Sequence, residues 1–170
     1  KPGSGKGTVG RILAKKLNYP FFSMGDMRRA MAEERGMTLE EFNKLGESQA
    51  FTDHQVDEWQ KYQGEIRANG IFDGRLSFYF IPSSVKVFLG VDIKEAARRI
   101  ANDKTNHHRK NEAKFTSLAS VERSLKKRVA SDTKRYRKYY GIDIYDPSLY
   151  DLSIDTTNIP AVKVAKQIMT

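Results

Sequence analysis

The sequence predicts an α/β fold in which a parallel sheet is covered by helices on both faces. Three observations predict it. A glycine-rich stretch, Pro2-Gly3-Ser4-Gly5-Lys6-Gly7-Thr8, runs directly into an amphipathic segment. Four short runs rich in β-branched and aromatic residues follow, each separated from the next by segments of helical period. No internal repeat or low-complexity linker divides the 170 residues, a length that suits one packed core and is short for two.

The elements follow in order. Val9, Ile12, Leu13 and Leu17 recur at helical spacing, so the glycine-rich loop opens a helix. Tyr19–Phe22 reads as a strand and Ser23-Met24-Gly25-Asp26 as the turn leaving it; a second helix runs to Arg35 and stops at Gly36. Thr38-Leu39-Glu40-Glu41 and Thr52-Asp53-His54-Gln55 each have the spacing of a capping box, predicting acidic helices over 39–49 and 53–68. Ile71-Phe72-Asp73 is a short buried strand, and Val85–Leu89 is the clearest strand in the chain. Asp92 caps a helix to about Asn102. A polar stretch at 103–117 precedes a long basic helix over 119–139. Tyr150–Ile154 is the last strand, and Pro160 stands where a final helix can begin. A phosphate-binding loop of this kind is aimed by a central strand, so a fifth strand and a glycine are expected ahead of Lys1.

Composition excludes several classes. Hydrophobic residues make up 39% and charged residues 30%, and no apolar run is long enough to cross a bilayer. With no cysteine, neither a disulfide framework nor a cysteine metal site is possible, which fits a cytoplasmic protein. The net charge of +9 is concentrated: residues 98–138 hold fourteen Lys or Arg against four Asp or Glu, and the rest of the chain nearly balances. Such a block serves as a nucleic-acid patch, a polyphosphate clamp or a solvated helix face.

The loop carries the most specific chemistry. Small residues let successive backbone N–H groups turn toward one anion, and the following helix adds partial positive charge at its N-terminus. Lys6 then supplies a point charge for the outer phosphates. A plain glycine-rich turn would not need a lysine and a hydroxyl at the mouth of a helix. The hydroxyl sits on Thr8, one residue later than usual, because Gly7 takes the usual Ser/Thr place.

That variant of the loop resembles the nucleoside monophosphate kinases among the P-loop NTPases. Ser23-Met24-Gly25-Asp26-Met27-Arg28-Arg29 is similar to their acceptor-site segment, with Arg29 in the place of the arginine that holds the acceptor phosphate. Asp73-Gly74-Arg75 resembles the second acceptor arginine in the form found in cytidylate kinases. Asp53, Asp57 and Gln60 match the Asp-x-x-x-Asp-x-x-Gln helix of the archaeal-type cytidylate kinases, and their spacing puts them on one helix face. Arg128, Asp132 and Arg135 repeat that family's two arginines around an acid, and the segments at 140–146 and 150–156 resemble its closing stretch. The resemblance extends from Pro2 to about Ile168.

The resemblance implies a three-layer P-loop fold on a five-stranded parallel sheet, built as one domain. Its core would be 1–25, 70–102 and 119–170, with an acceptor-binding insertion at about 26–69 and a lid at about 103–117. It further implies transfer of the γ-phosphoryl of ATP to CMP or dCMP, with magnesium. Residues 2–8 would bind ATP, and Lys6, Arg128 and Arg135 would be catalytic. Ser23, Gly25, Arg29, Asp53, Asp57, Gln60, Gly74, Arg75 and Asp132 would bind the acceptor; Arg109 would act from the lid and Thr8 indirectly on the metal. A monomer, no membrane and no nucleic acid complete the expectation. The alternatives are another monophosphate kinase, such as an adenylate kinase, and a nucleic-acid-binding module using residues 98–138, although recognisable RNA-binding motifs are absent. His107-His108 lacks metal-ligand partners at ligand spacing and reads as polar loop. Tyr136, Tyr139 and Tyr140 read as packing residues, Trp59 as half-buried beneath the acceptor site, and Asp143 and Asp146 as turn and cap residues.

Overall fold

A computed structural model describes residues 1–103 and 117–170. Chain order is α1 (Lys6–Leu17), β1 (Phe21–Ser23), α2 (Met24–Glu33), α3 (Leu39–Gly46), α4 (Phe51–Ile66), β2 (Ile71–Asp73) and α5 (Ser77–Phe80). It continues with β3 (Val87–Gly90), α6 (Ile93–Asn102), α7 (Leu118–Tyr140), a 3-10 turn (Pro147–Leu149), β4 (Leu152–Asp155) and α8 (Ala161–Met169). Apart from Asp103 and Ser117, the expected lid, with His107, His108 and Arg109, lies outside the described residues.

Local signals set most helix boundaries. Ser23 accepts from the Asp26 amide at the start of α2, and Thr38 and Glu41 form a reciprocal capping box at α3. The Asp92 carboxylate accepts the amides of Lys94 and Glu95 at α6, and Gly141, at φ 68°, closes α7 in the left-handed conformation. The second expected capping box does not form. Helix α4 begins at Phe51, and Thr52 lies inside its first turn, fully buried, with its hydroxyl donating to the Gln49 carbonyl. Burial of Thr52 and Asp53 against the neighbouring helices outweighs the local capping signal.

The strands pair in parallel, as alternation predicts, but the five-stranded sheet is not what the described residues form. β1 pairs with β2, Phe21 opposite Ile71 and Ser23 opposite Asp73; β3 pairs with β4, Val87 opposite Leu152 and Gly90 opposite Asp155. These are two separate two-stranded sheets. Neighbouring strands must lie about 4.8 Å apart to pair, and no strand among the described residues bridges the two. Val85, expected in β3, is instead 78% exposed. Pairing starts after Lys86, whose amide goes to the Asp151 carboxylate.

One core nonetheless serves both sheets. Val9 and Leu13 of α1 and Val164 and Ala165 of α8 pack with Leu89 of β3 and Ile154 of β4, and Ile71 of β2 joins them. Each large aliphatic side chain buried there contributes about 1.5–3 kcal/mol. A second cluster seats α2, α3 and α4 on Met24, Met31, Phe42 and Val56; Trp59, partly buried, meets Phe22 edge-on at 5.5 Å. A third joins α6 to α7 through Val91, Ala96, Ala97, Val121 and Leu125. No helix among the described residues is long and apolar enough to cross a membrane.

Candidate active site

The loop at 2–8 bends twice through left-handed backbone, at Gly3 (φ 76°) and Gly5 (φ 85°). A β-carbon at Gly3 would also stand 2.7 Å from that of Ala96, so α6 packs directly on the loop and only glycine satisfies both constraints. Ser4 is buried: its hydroxyl donates to the Lys1 carbonyl, and its own carbonyl accepts from Thr156. Gly5 caps α1 without any side-chain bond to its first-turn amides, the groups that an anion site uses. Lys6 folds over the loop and donates to the Lys1 carbonyl at 2.8 Å. Desolvation pushes its ammonium down to about 8; Asp73 opposes the shift, while Arg75 and Arg128 reinforce it. An incoming anion relieves that crowding of cations.

The loop forms one wall of a cavity of about 400 Å³. Opposite it stand Ser23, Gly25, Arg29, Asp53, Asp57, Gln60, Gly74, Arg75 and Arg128, each of them anticipated from sequence. Gly74 is forced by close approach: a β-carbon there would lie 2.2 Å from the Ser77 hydroxyl and 2.7 Å from Met24. Arg29, on α2, donates to Asp26 at 2.8 Å, and the other oxygen of Asp26 lies 3.4 Å from Arg11. Arg75 meets Asp132 at 2.6 Å.

Asp132 and Arg135, also anticipated, do not line the cavity but stand behind its wall, each 1% exposed. Arg135 donates to both oxygens of Asp53, at 2.5 and 2.7 Å, and to Asp132 at 2.7 Å. Burial alone would raise Asp132; Arg75, Arg135 and Arg128 outweigh it and hold the carboxyl below the usual carboxylate range. The same network contains Arg28, which sequence reasoning missed. Arg28 is buried in the cavity wall and donates to the Thr52 carbonyl, to Asp53 and to Asn43. Its neighbour Arg29 drew attention by motif spacing; nothing local marks Arg28, whose partners lie 15 to 25 residues away. Asp73 was likewise passed over as a site residue, although it lines the cavity beside Gly7.

Asp57 differs from the other buried acids. Asp53 and Asp132 are gripped by guanidinium groups, whereas the hydrogen bonds to Asp57 come from neutral donors, Gln60 at 2.8 Å and the Tyr140 hydroxyl, which makes a short bond to the other oxygen. Gln60 in turn accepts from Ser77 at 2.9 Å. Burial pushes the Asp57 carboxyl up to about 6; the Tyr140 bond resists, Asp53 adds to the shift, and Gln60 and Arg28 oppose it. Tyr140 is therefore more than a packing residue. Tyr136 does pack, with Leu76 and Ile144, and Asp146 caps the 3-10 turn.

Much of the basic helix's exposed charge is paired with groups of this chain. Lys127 pairs with Glu40, Lys134 with Glu47, Arg137 with Asp143, and Lys138 donates to the Glu47 carbonyl. Arg98 and Arg99 share Glu95.

Comparison with known proteins agrees with this geometry. The profile of the cytidylate kinase-like family matches residues 1–158. A cytidylate kinase of Methanobrevibacter smithii is 34% identical over 168 residues, 99% of this chain and 92% of that one. One from Archaeoglobus fulgidus is 35% identical over 169 residues, 99% and 88% of the two chains. Among solved structures, an uncharacterized protein of Eubacterium ventriosum superposes with a TM-score of 0.69 over 99% of this chain and 91% of its own. At 14% identity it speaks for the fold alone.

Proposed function

This chain belongs to the cytidylate kinase-like family, and from that premise we propose that it is an ATP-dependent kinase that phosphorylates CMP or dCMP, giving CDP or dCDP. The observation that carries the reading is one cavity in which a phosphate-binding loop faces Arg29, Arg75 and Arg128 and an acid held by neutral donors. The loop amides and Lys6 hold the donor phosphates. Arg29 and Arg75 grip the acceptor phosphate, where a planar fork suits bidentate contact. An oxygen of the acceptor phosphate attacks the γ-phosphorus, a new P–O bond forms, and the bond to the β-phosphate oxygen breaks to release ADP. The protein's task is to position these groups and neutralise their charge. Arg128, on the cavity wall, serves the transferring group. Asp132 and Arg135 hold Arg75 and the helix frame from behind, and Asp57 with Gln60 faces the base.

Magnesium belongs to the same reading. The described residues contain no cluster of three acidic or histidine ligands, which suits an ion that keeps most of its water and takes phosphate oxygens. The Thr8 hydroxyl and the Asp73 carboxylate, both at the cavity beside Gly7, fit that demand. When bound, magnesium supplies charge neutralisation across the donor phosphates. Cytoplasmic location and a monomeric state complete the proposal.

A nucleotide panel tests it: initial rates with ATP and magnesium for CMP, dCMP, UMP, AMP and GMP. CMP or dCMP is expected to give the highest kcat/KM. AMP as best acceptor would replace the cytidylate reading with an adenylate one, and no transfer to any monophosphate would end the kinase reading.

A further inference from the structure

We propose that Arg11 is a positioning residue for the acceptor phosphate: it takes over the Asp26 carboxylate when the phosphate draws Arg29 away. The inference rests on the reading of Arg29 as a grip on that phosphate.

The argument starts from charge. A phosphate monoester carries about −1.5 to −2 near neutral pH. In the structure Arg29 is already engaged, its Nη1 donating to one oxygen of Asp26 at 2.8 Å. A guanidinium that turns its fork toward a phosphate leaves that carboxylate oxygen without this partner and beside a new anion. Like charges so placed oppose binding. A second cation on Asp26 lessens the opposition and lets Arg29 turn.

Arg11 has the placement for this. Its Nη2 lies 3.4 Å from the other oxygen of Asp26, so two guanidinium groups hold the two oxygens of one carboxylate. Three elements fix the Arg11 side chain. It springs from α1; its guanidinium lies 5.0 Å from the centre of the Phe21 ring on β1; and a β-carbon at Gly7 would stand 3.1 Å from its Nη1. Phe21 in turn occupies room that Gly10 leaves, since a β-carbon there would lie 2.5 Å from the ring. Asp26 stays in place when Arg29 moves, because its backbone amide is bound to the Ser23 hydroxyl in the first turn of α2, where the helix dipole favours an anion. Arg11, Asp26 and Arg29 all line the cavity, together with Gly7 of the phosphate loop and Gly25 of the acceptor segment. Arg11 is 51% exposed and its contact with Asp26 is long, so the pair has room to tighten. The other acid near this cation is Asp73, 3.4 Å from the same β-carbon position at Gly7; a role through Asp73 would be felt by the donor nucleotide, which the test separates.

The test is a double-variant cycle on CMP affinity, read as the dissociation constant in equilibrium titration and as KM with ATP and magnesium. Arg11→Gln is expected to weaken CMP by about fivefold, the upper end for an ion pair this exposed, with the loss carried by KM rather than kcat and with ATP affinity retained. Arg11→Lys keeps a cation beside Asp26 and is expected to recover most of the loss. Raised salt is expected to narrow the gap between wild type and Arg11→Gln; a mere packing role of Arg11 on Phe21 would leave the gap in place. In an Asp26→Asn background, adding Arg11→Gln is expected to change the CMP dissociation constant by less than about twofold, because Arg11 acts through that carboxylate. The same fivefold loss in that background overturns the proposal, since Arg11 would then touch a phosphate itself. So does an equal loss of ATP affinity, or unchanged CMP affinity in Arg11→Gln. If the wild-type protein neither binds nor phosphorylates CMP, the acceptor reading itself has failed; if CMP is used and the two positions show no coupling, only the handover has.

Discussion

Lys6 and Asp53 show how differently two charged residues of one cavity act. The side chain of Lys6 makes its hydrogen bond to a loop carbonyl, so removing it takes away a cation aimed at phosphate and little packing. Lys6→Ala is expected to lower kcat by about a hundredfold to a thousandfold, the scale on which preorganised charge stabilises a transition state, with the melting temperature nearly unchanged. Unchanged turnover would remove the loop from catalysis. Asp53 is the opposite case. It neutralises Arg28 and Arg135 at once, and all three are buried. Asp53→Ala leaves two guanidinium groups in the interior without that counter-charge, and a loss of about 3–5 kcal/mol in unfolding free energy is expected. Chemical denaturation reads that loss directly; a change below about 1 kcal/mol would show that water enters and solvates the arginines.

At the scale of elements, short-range rules account for most of what formed. The α3 capping box satisfies two backbone amides within four residues, and nothing distant is needed for it. Thr38→Ala is expected to cost about 1 kcal/mol and to lower the melting temperature by about 2–4 °C. Thr52, with the same apparent signature, sits inside α4 with its hydroxyl turned back on Gln49; its replacement would be felt as lost core volume, not as a lost cap. The short helix α5 was not anticipated. Four residues hold no period to read, and Ser77-Phe78-Tyr79-Phe80 forms because Gly74 and Gln60 receive Ser77 while Phe80 packs with Tyr140.

For the whole molecule, the decisive feature is convergence. The loop before α1, the segment entering α2, the inner face of α4, the turn after β2 and α7 all reach one cavity. A bisubstrate analogue joining ATP to CMP is therefore expected to compete with both substrates. At a free concentration one hundred times its Kd it should stabilise the fold by about 2.7 kcal/mol, seen as a raised melting temperature. Competition with only one substrate would mean that the two nucleotides bind in separate places. The buried ladder Arg28–Asp53–Arg135–Asp132–Arg75 ties α2, α4, α7 and the turn after β2 together behind that cavity, so acceptor arginines and helix frame hold one geometry.

The amino-acid sequence by itself determined the α/β alternation, the caps at Thr38 and Asp92, and the phosphate loop with Lys6, because each depends on residues a few positions apart and on period alone. It also marked many of the residues that line the cavity, through motifs whose spacing survives without a structure, though not Arg28 or Asp73. Only the tertiary structure decided that Asp132 and Arg135 stand behind the wall, that Arg28 joins them, and that Tyr140 bonds to Asp57 across 83 residues. Only it showed the four strands among the described residues as two separate pairs, where one sheet completed by a fifth strand ahead of Lys1 was expected. The physical reason is the same in each case. Strand pairing and buried ion pairs are contacts between distant segments, and whether an arginine meets a carboxylate or water is settled by which helices pack together, a choice that composition and spacing do not contain.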